Sequence, residues 1–207
     1  MSETPDVALA TEEDADRLAE VISAAFFDLE ASHWLIPDPD WRRAAYARFF
    51  HLTYIAPGLR SGYVYRTADR MAASVWLPIG DPGTDHGPDP AYEQALEELT
   101  GPYHGNFVEF DRLLSEAHAP HVDTPHDFLG IIGAHPGIWG QGSARALMDA
   151  HVTKLDERQR PSYLEAANAT LVGVWGKFGY ERTERVITLP NGHQMYPMWR
   201  EPRSTAR

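Results

Sequence analysis

Cysteine is absent, basic residues are scarce and no apolar run approaches bilayer length in this chain of 207 residues. Each shortage removes a class of function. Without cysteine there is neither a disulfide framework nor a thiolate metal site, which suits a reducing compartment, and a cytoplasmic location is expected. Lys and Arg number 18 against 30 Asp and Glu, a formal charge of −12. Nucleic-acid affinity comes largely from neutralising phosphates, so no nucleic-acid partner is expected. No stretch reaches the ~20 apolar residues of a membrane span, and residues 1–6 are acidic without the apolar centre of a signal peptide, so no membrane partner is expected either. The 43% hydrophobic content is enough for one sizeable core, and a single domain over 1–207 is predicted.

Against these shortages stands one glycine-rich loop. The run Gly133-Ala134-His135-Pro136-Gly137-Ile138-Trp139-Gly140-Gln141-Gly142-Ser143-Ala144 ends a strand-like apolar stretch and opens a helix. Amides in the first turn of a helix have no intrahelical acceptor, glycines let a ligand approach the backbone, and the peptide dipoles favour negative charge there. A pyrophosphate fits such a place. A plain strand-to-helix turn also needs glycine, and the loop alone does not separate the two readings.

Along the rest of the chain, apolar spacing predicts strands over 7–10, 62–67, 71–77, 126–133 and 162–166, with two closing strands. Helices are predicted from Thr11-Glu12-Glu13-Asp14 onward, over 41–52 with a stop at Pro57-Gly58, and over 92–99, 107–117, 142–157 and 170–178. Residues 78–90, rich in Pro, Gly and Asp, read as a loop. This order suggests an α/β (α+β) fold with a mixed, largely antiparallel sheet flanked by helices.

The motifs Trp139-Gly140-Gln141-Gly142-Ser143-Ala144, Tyr163-Leu164-Glu165-Ala166-Ala167-Asn168 and Val174-Trp175-Gly176-Lys177-Phe178-Gly179-Tyr180 follow one another in an order that resembles the GCN5-related N-acetyltransferase (GNAT) superfamily. Val75-Trp76-Leu77-Pro78, His126-Asp127-Phe128-Leu129 and Leu189-Pro190-Asn191-Gly192 look like its actinobacterial branch that includes puromycin N-acetyltransferase. The resemblance implies a sheet splayed between its fourth and fifth strands, and transfer of acetyl from acetyl-CoA, or another acyl-CoA, to an amine of a small molecule such as an antibiotic or secondary metabolite. It implies that Ile132, Gly133 and Ala134 run beside the pantetheine arm. Gly140, Gln141, Gly142, Ser143 and Ala144 would cradle the phosphates, with Asn168 and Trp175 completing the acyl-CoA contacts. Asp28, Trp34 and Trp76 fall where the branch shapes its acceptor pocket. The small-molecule amine is the expected partner, and the protein is expected to be a monomer or homodimer.

Two positions depart from the pattern. Trp139 stands where Gln or Arg is usual, which leaves the backbone cradle intact. Trp175 stands where the branch carries a Tyr that protonates the departing thiolate, and an indole N–H is no proton donor at neutral pH. Tyr196 is then the substitute acid, provided its strand folds back toward the sulfur. Glu165 lies between apolar Leu164 and Ala166, and is either a base or substrate anchor in the cleft or a solvated strand residue. His126 is either a proton relay at the mouth of the fourth strand or a surface histidine after Pro125. The competing class is a non-catalytic acyl-CoA-binding module, or a repurposed enzyme of this fold, which Trp139 and Trp175 favour. His118, His121, Asp123 and His126 have metal-ligand chemistry, but Pro120 and Pro125 keep them off one helical face, and no metal is expected.

Overall fold

The computed structural model describes residues 4–81 and 90–204. Strand β1 (Val7–Leu9) leads through Thr11 into helix α1 (Ala15–Phe26). The Asp14 carboxylate takes the Thr11 amide at 3.0 Å and the Arg66 guanidinium at 2.9 Å, so the acidic helix start is also a buried ion pair. Leu18, Val21 and Ile22 are buried, as their i, i+3, i+4 spacing requires. Helix α2 (Glu30–Leu35), which the periodicity does not announce, follows. Helix α3 (Pro39–Phe50) begins two residues ahead of the predicted 41, with Asp38 accepting the Asp40 and Trp41 amides and Pro39 in the first turn.

Its end differs from the prediction. Residues His51–Ile55 form a π-helical turn, closed by the Ala56 amide on the His51 carbonyl, and α4 (Ala56–Ser61) then runs through Pro57 and Gly58. The changed bonding pattern puts Pro57 in the first turn of a new α segment, where its ring is tolerated. Strands β2 (Tyr63–Thr67) and β3 (Ala72–Ile79) follow, and β3 takes in Pro78 and Ile79 from the expected loop. The remainder of that loop, residues 82–89, lies outside the described residues.

Helices α5 (Pro90–Thr100) and α6 (His104–His118) precede β4 (His126–Ala134), α7 (Ser143–Glu157), β5 (Ser162–Ala166) and α8 (Ala169–Gly176). Among the described residues three closing strands follow where two were predicted, the short β6 (Glu181–Arg182) and β7 (Ile187–Thr188) and the longer β8 (Gln194–Arg200). The eight-stranded sheet has the order β1-β2-β3-β4-β5-β8-β6, with β7 also on β8. Every pairing is antiparallel except β4 with β5. Helices α1, α3 and α6 cover one core, around Ile22, Phe49 and Ile131, while α7 and α8 cover the other, around Leu129, Leu147 and Leu164. Among the described residues no helix is long and apolar enough to cross a membrane.

A buried polar clasp stands where β4 meets β5. Asp127, 2% exposed, accepts a hydrogen bond from His151 Nε2 at 2.8 Å and another from Arg160. Arg160 also reaches the His126 carbonyl at 2.9 Å, and His151 stacks on Trp76 with ring centroids 4.2 Å apart. Burial works against charge on Asp127, but His151 and Arg160 outweigh it and hold the carboxyl below its ordinary range.

Candidate active site

Strands β4 and β5 are in register at only two positions, Asp127 with Ser162 and Phe128 with Tyr163. Beyond these they part. On its other side β4 keeps pairing with β3 as far as Ala134, while β5 keeps pairing with β8 as far as Ala166. A bulge contributes to the divergence: Trp76 faces Leu129 and Val75 faces Ile131, so Gly130 is the extra residue of β4. A side chain there would start 3.1 Å from the ring of Tyr54, which is why glycine fits.

The main-chain polar groups lining this gap follow from alternation. His135 donates its amide to the Met71 carbonyl of the neighbouring hairpin, and in an antiparallel ladder Gly133 then points toward β3 as well. Ile132 and Ala134 therefore turn their N–H and C=O groups into the gap, and Gly133 does not. The Trp139 indole donates to the Ala134 carbonyl at 2.8 Å, leaving the Ile132 groups and the Ala134 amide facing the opening. Trp139 itself is 64% exposed.

At the end of the gap Gly140 and Gly142 have φ of 80° and 85°, the left-handed region that glycine favours, and open space surrounds both where a Cβ would stand. Gly142 is the N-cap of α7, and no side chain caps it. The Ala146 amide bonds to the Gly142 carbonyl, so the amides of Ser143, Ala144 and Arg145 precede the first intrahelical bond. Gln141 and Arg145 are exposed beside them. These features fit the phosphates of an acyl-CoA: uncapped donors, a favourable dipole end and no side chain in the way.

On the α1/α3 face the gap opens onto a cavity of about 130 Å³. Its wall is apolar and aromatic, with Trp175 and Leu171 from α8 at one side and Phe49, Phe50 and Tyr54 at the other. Glu165 supplies its carboxyl. Burial in this wall pushes Glu165 up to about 8. Tyr163, two residues back on the same face of β5, has a buried hydroxyl with no hydrogen-bond partner of sound geometry, though it lies close enough to couple electrostatically to Glu165. Burial, with Asp111, Tyr92 and Glu165 nearby, also raises Tyr54 well above the ordinary phenol range, so its hydroxyl stays protonated.

The other expected site residues fall in several places. Trp175 is 5% exposed and walls the cavity, and Asn168 Oδ1 caps α8 by accepting the Leu171 amide at 3.1 Å. His126 is neither at the surface nor in the cavity. It is fully buried, with Nδ1 2.7 Å from the Thr124 carbonyl and Nε2 2.8 Å from His118 Nε2. A carbonyl only accepts, so Nδ1 carries the hydrogen and His118 donates to His126 Nε2. Burial lowers both, His118 to about 4, and the ring of His118 stacks on Tyr163 at 4.2 Å.

Tyr196 stands opposite Ala166 in the β5–β8 ladder, hence on the face away from Glu165, with its hydroxyl on Gln194 and Arg182 over its ring. Trp76 is fully buried under α7, off the cavity. Trp34 packs behind Phe110 with centroids 6.3 Å apart, and Asp28 is exposed, 3.8 Å from His33. Sequence reasoning missed Tyr54 and the aromatic wall. Tyr46, Phe49, Phe50 and Tyr54, one helical face apart from the π shift, were the available signal.

No protein-family model matches the chain. Among solved structures, one of histone acetyltransferase HPA2 and related acetyltransferase from Corynebacterium glutamicum is 19% identical, with 99% of this chain and 100% of that one covered and a TM-score of 0.68. Arylalkylamine N-acetyltransferase 2 from Aedes aegypti is 12% identical, covering 97% and 100%, with a TM-score of 0.64. An agmatine N-acetyltransferase is 15% identical, covering 95% and 98%, with a TM-score of 0.63. The splayed, mostly antiparallel sheet and these likenesses define the GNAT fold. The similarity runs over the whole fold.

Proposed function

We propose that this protein transfers an acetyl group from acetyl-CoA to the primary amine of a small molecule. The observation that carries the reading is Glu165: a carboxyl raised to about 8 in a cavity that opens into the sheet gap, beside the uncapped start of α7. A non-catalytic acyl-CoA-binding module has no use for a carboxylic acid buried at such cost. That the similar structures are of acetyltransferases agrees with the reading.

Acetyl-CoA supplies an activated thioester when bound. The first turn of α7 would hold its phosphates, and the Ile132 and Ala134 groups would pair with its amide chain along the open edge of β4. The neutral amine nitrogen bonds to the acetyl carbon, the carbon–sulfur bond breaks with its electron pair on sulfur, and the surplus proton of the nitrogen passes to Glu165. Held geometry replaces a bimolecular encounter. A thiol of pKa about 8.5 leaves tolerably as thiolate, so Trp175 in place of an acid does not stop the reaction. Tyr196 takes no part in this scheme, and Tyr54 lies on the Glu165 side as a neutral hydrogen-bond donor.

Calorimetric titration with acetyl-CoA, followed by a free-thiol release assay over a panel of primary amines, tests the proposal. Binding with amine-dependent release is the expected result. Binding without release transfers the case to the non-catalytic module.

A further inference from the structure

The cavity wall carries a second message, about what the amine is attached to. We infer that the acceptor is a primary amine borne on a single aromatic ring or an equally compact apolar group, and not a polyamine, an amino sugar or a peptide lysine; this rests on the acyl-transfer reading above.

Three observations support it. The first is chemistry: Phe26, Phe49, Phe50, Tyr54, Phe110 and Phe128 line the cavity, and among the described residues Glu165 is the one carboxyl in its wall. One carboxyl serves one amine. A second ammonium would find no second carboxylate there, and a sugar carries more hydroxyls than Ser32, Tyr46 and Tyr54 can satisfy, each unsatisfied buried polar group costing about 1–3 kcal/mol.

The second is size. A cavity of about 130 Å³ is on the scale of the ~150 Å³ apolar cavity that holds one benzene. The third is arrangement. Phe49 meets Phe50 at 5.1 Å and 62°, and Tyr54 at 6.2 Å and 87°, so the wall is already an edge-to-face cluster. A guest ring extends that packing, whereas a hydrated chain interrupts it.

The full-length protein, saturated with acetyl-CoA, would be assayed for thiol release with 2-phenylethylamine, 1,4-diaminobutane, glucosamine and a lysine-containing peptide. The expected kcat/KM for 2-phenylethylamine exceeds each of the others by roughly 10- to 100-fold, the worth of burying one phenyl group. Phenylethanol, which has the ring without the amine, should inhibit competitively against 2-phenylethylamine, and 1,4-butanediol should not. Equal or better turnover of the diamine, the sugar or the peptide would overturn the inference while leaving acyl transfer standing. Absence of release with every amine would overturn both, and calorimetry would show whether the acetyl-CoA site had failed as well.

Discussion

In the proposed reaction Glu165 is the base, and the burial that raises its carboxyl also weakens the fold. With its carboxyl near 8 in the free protein, the kcat/KM profile should rise with pH through about 8, and Glu165→Gln should remove that inflection and lower kcat/KM by ~10²–10⁴-fold. Stability should move the other way. The folded-state value lies above the ordinary 4.5, so the unfolded chain releases this proton first and stability drains as pH climbs from 4.5 to about 8. Thermal melts should therefore place Glu165→Gln above the wild type at pH 8 and level with it near pH 4. Gly142 offers a second single-residue test. Its φ of 85° costs an L side chain about 1–2 kcal/mol, and Gly142→Ala should weaken acetyl-CoA binding by roughly tenfold in calorimetry as the loop relaxes away from that conformation.

The cavity exists because two irregular segments meet: the π-helical turn that carries Tyr54 and the β4 bulge at Gly130. Gly130→Val would place its first side-chain carbon 3.1 Å from the Tyr54 ring, so the phenol must shift. The expected result is a stability loss of ~1–3 kcal/mol in urea and a raised KM for the amine. Neither irregularity is legible in the sequence, because each is settled by what packs across from it. Features with a local cause were legible: the Asp14 helix start, β5 to its exact ends and the Gly142 opening of α7. Those that depend on long-range register were not. Tyr196 faces away from Glu165 by ladder parity, Trp76 packs under α7, and His126 is enclosed by His118 from a helix that ends before the strand begins.

His118, His126 and His151 are all partly or wholly buried, and burial holds each below the ordinary 6.5. The unfolded chain then takes up protons that the folded one refuses, so stability should fall as pH drops below 6.5. His118→Phe keeps a ring against Tyr163 and removes one of these sites. It should lower the melting temperature at pH 7, where His126 loses a donor, yet flatten the decline between pH 7 and pH 5. The larger consequence lies in the two register positions that join β4 to β5. The sheet amounts to two wings riveted at one corner by Asp127, and an amide-bearing guest laid along β4 would act as a surrogate strand, stiffening the wings against each other. Hydrogen exchange should register that stiffening residue by residue: the Ile132 and Ala134 amides slow sharply once acetyl-CoA is added, while Gly133, already held by β3, keeps its rate.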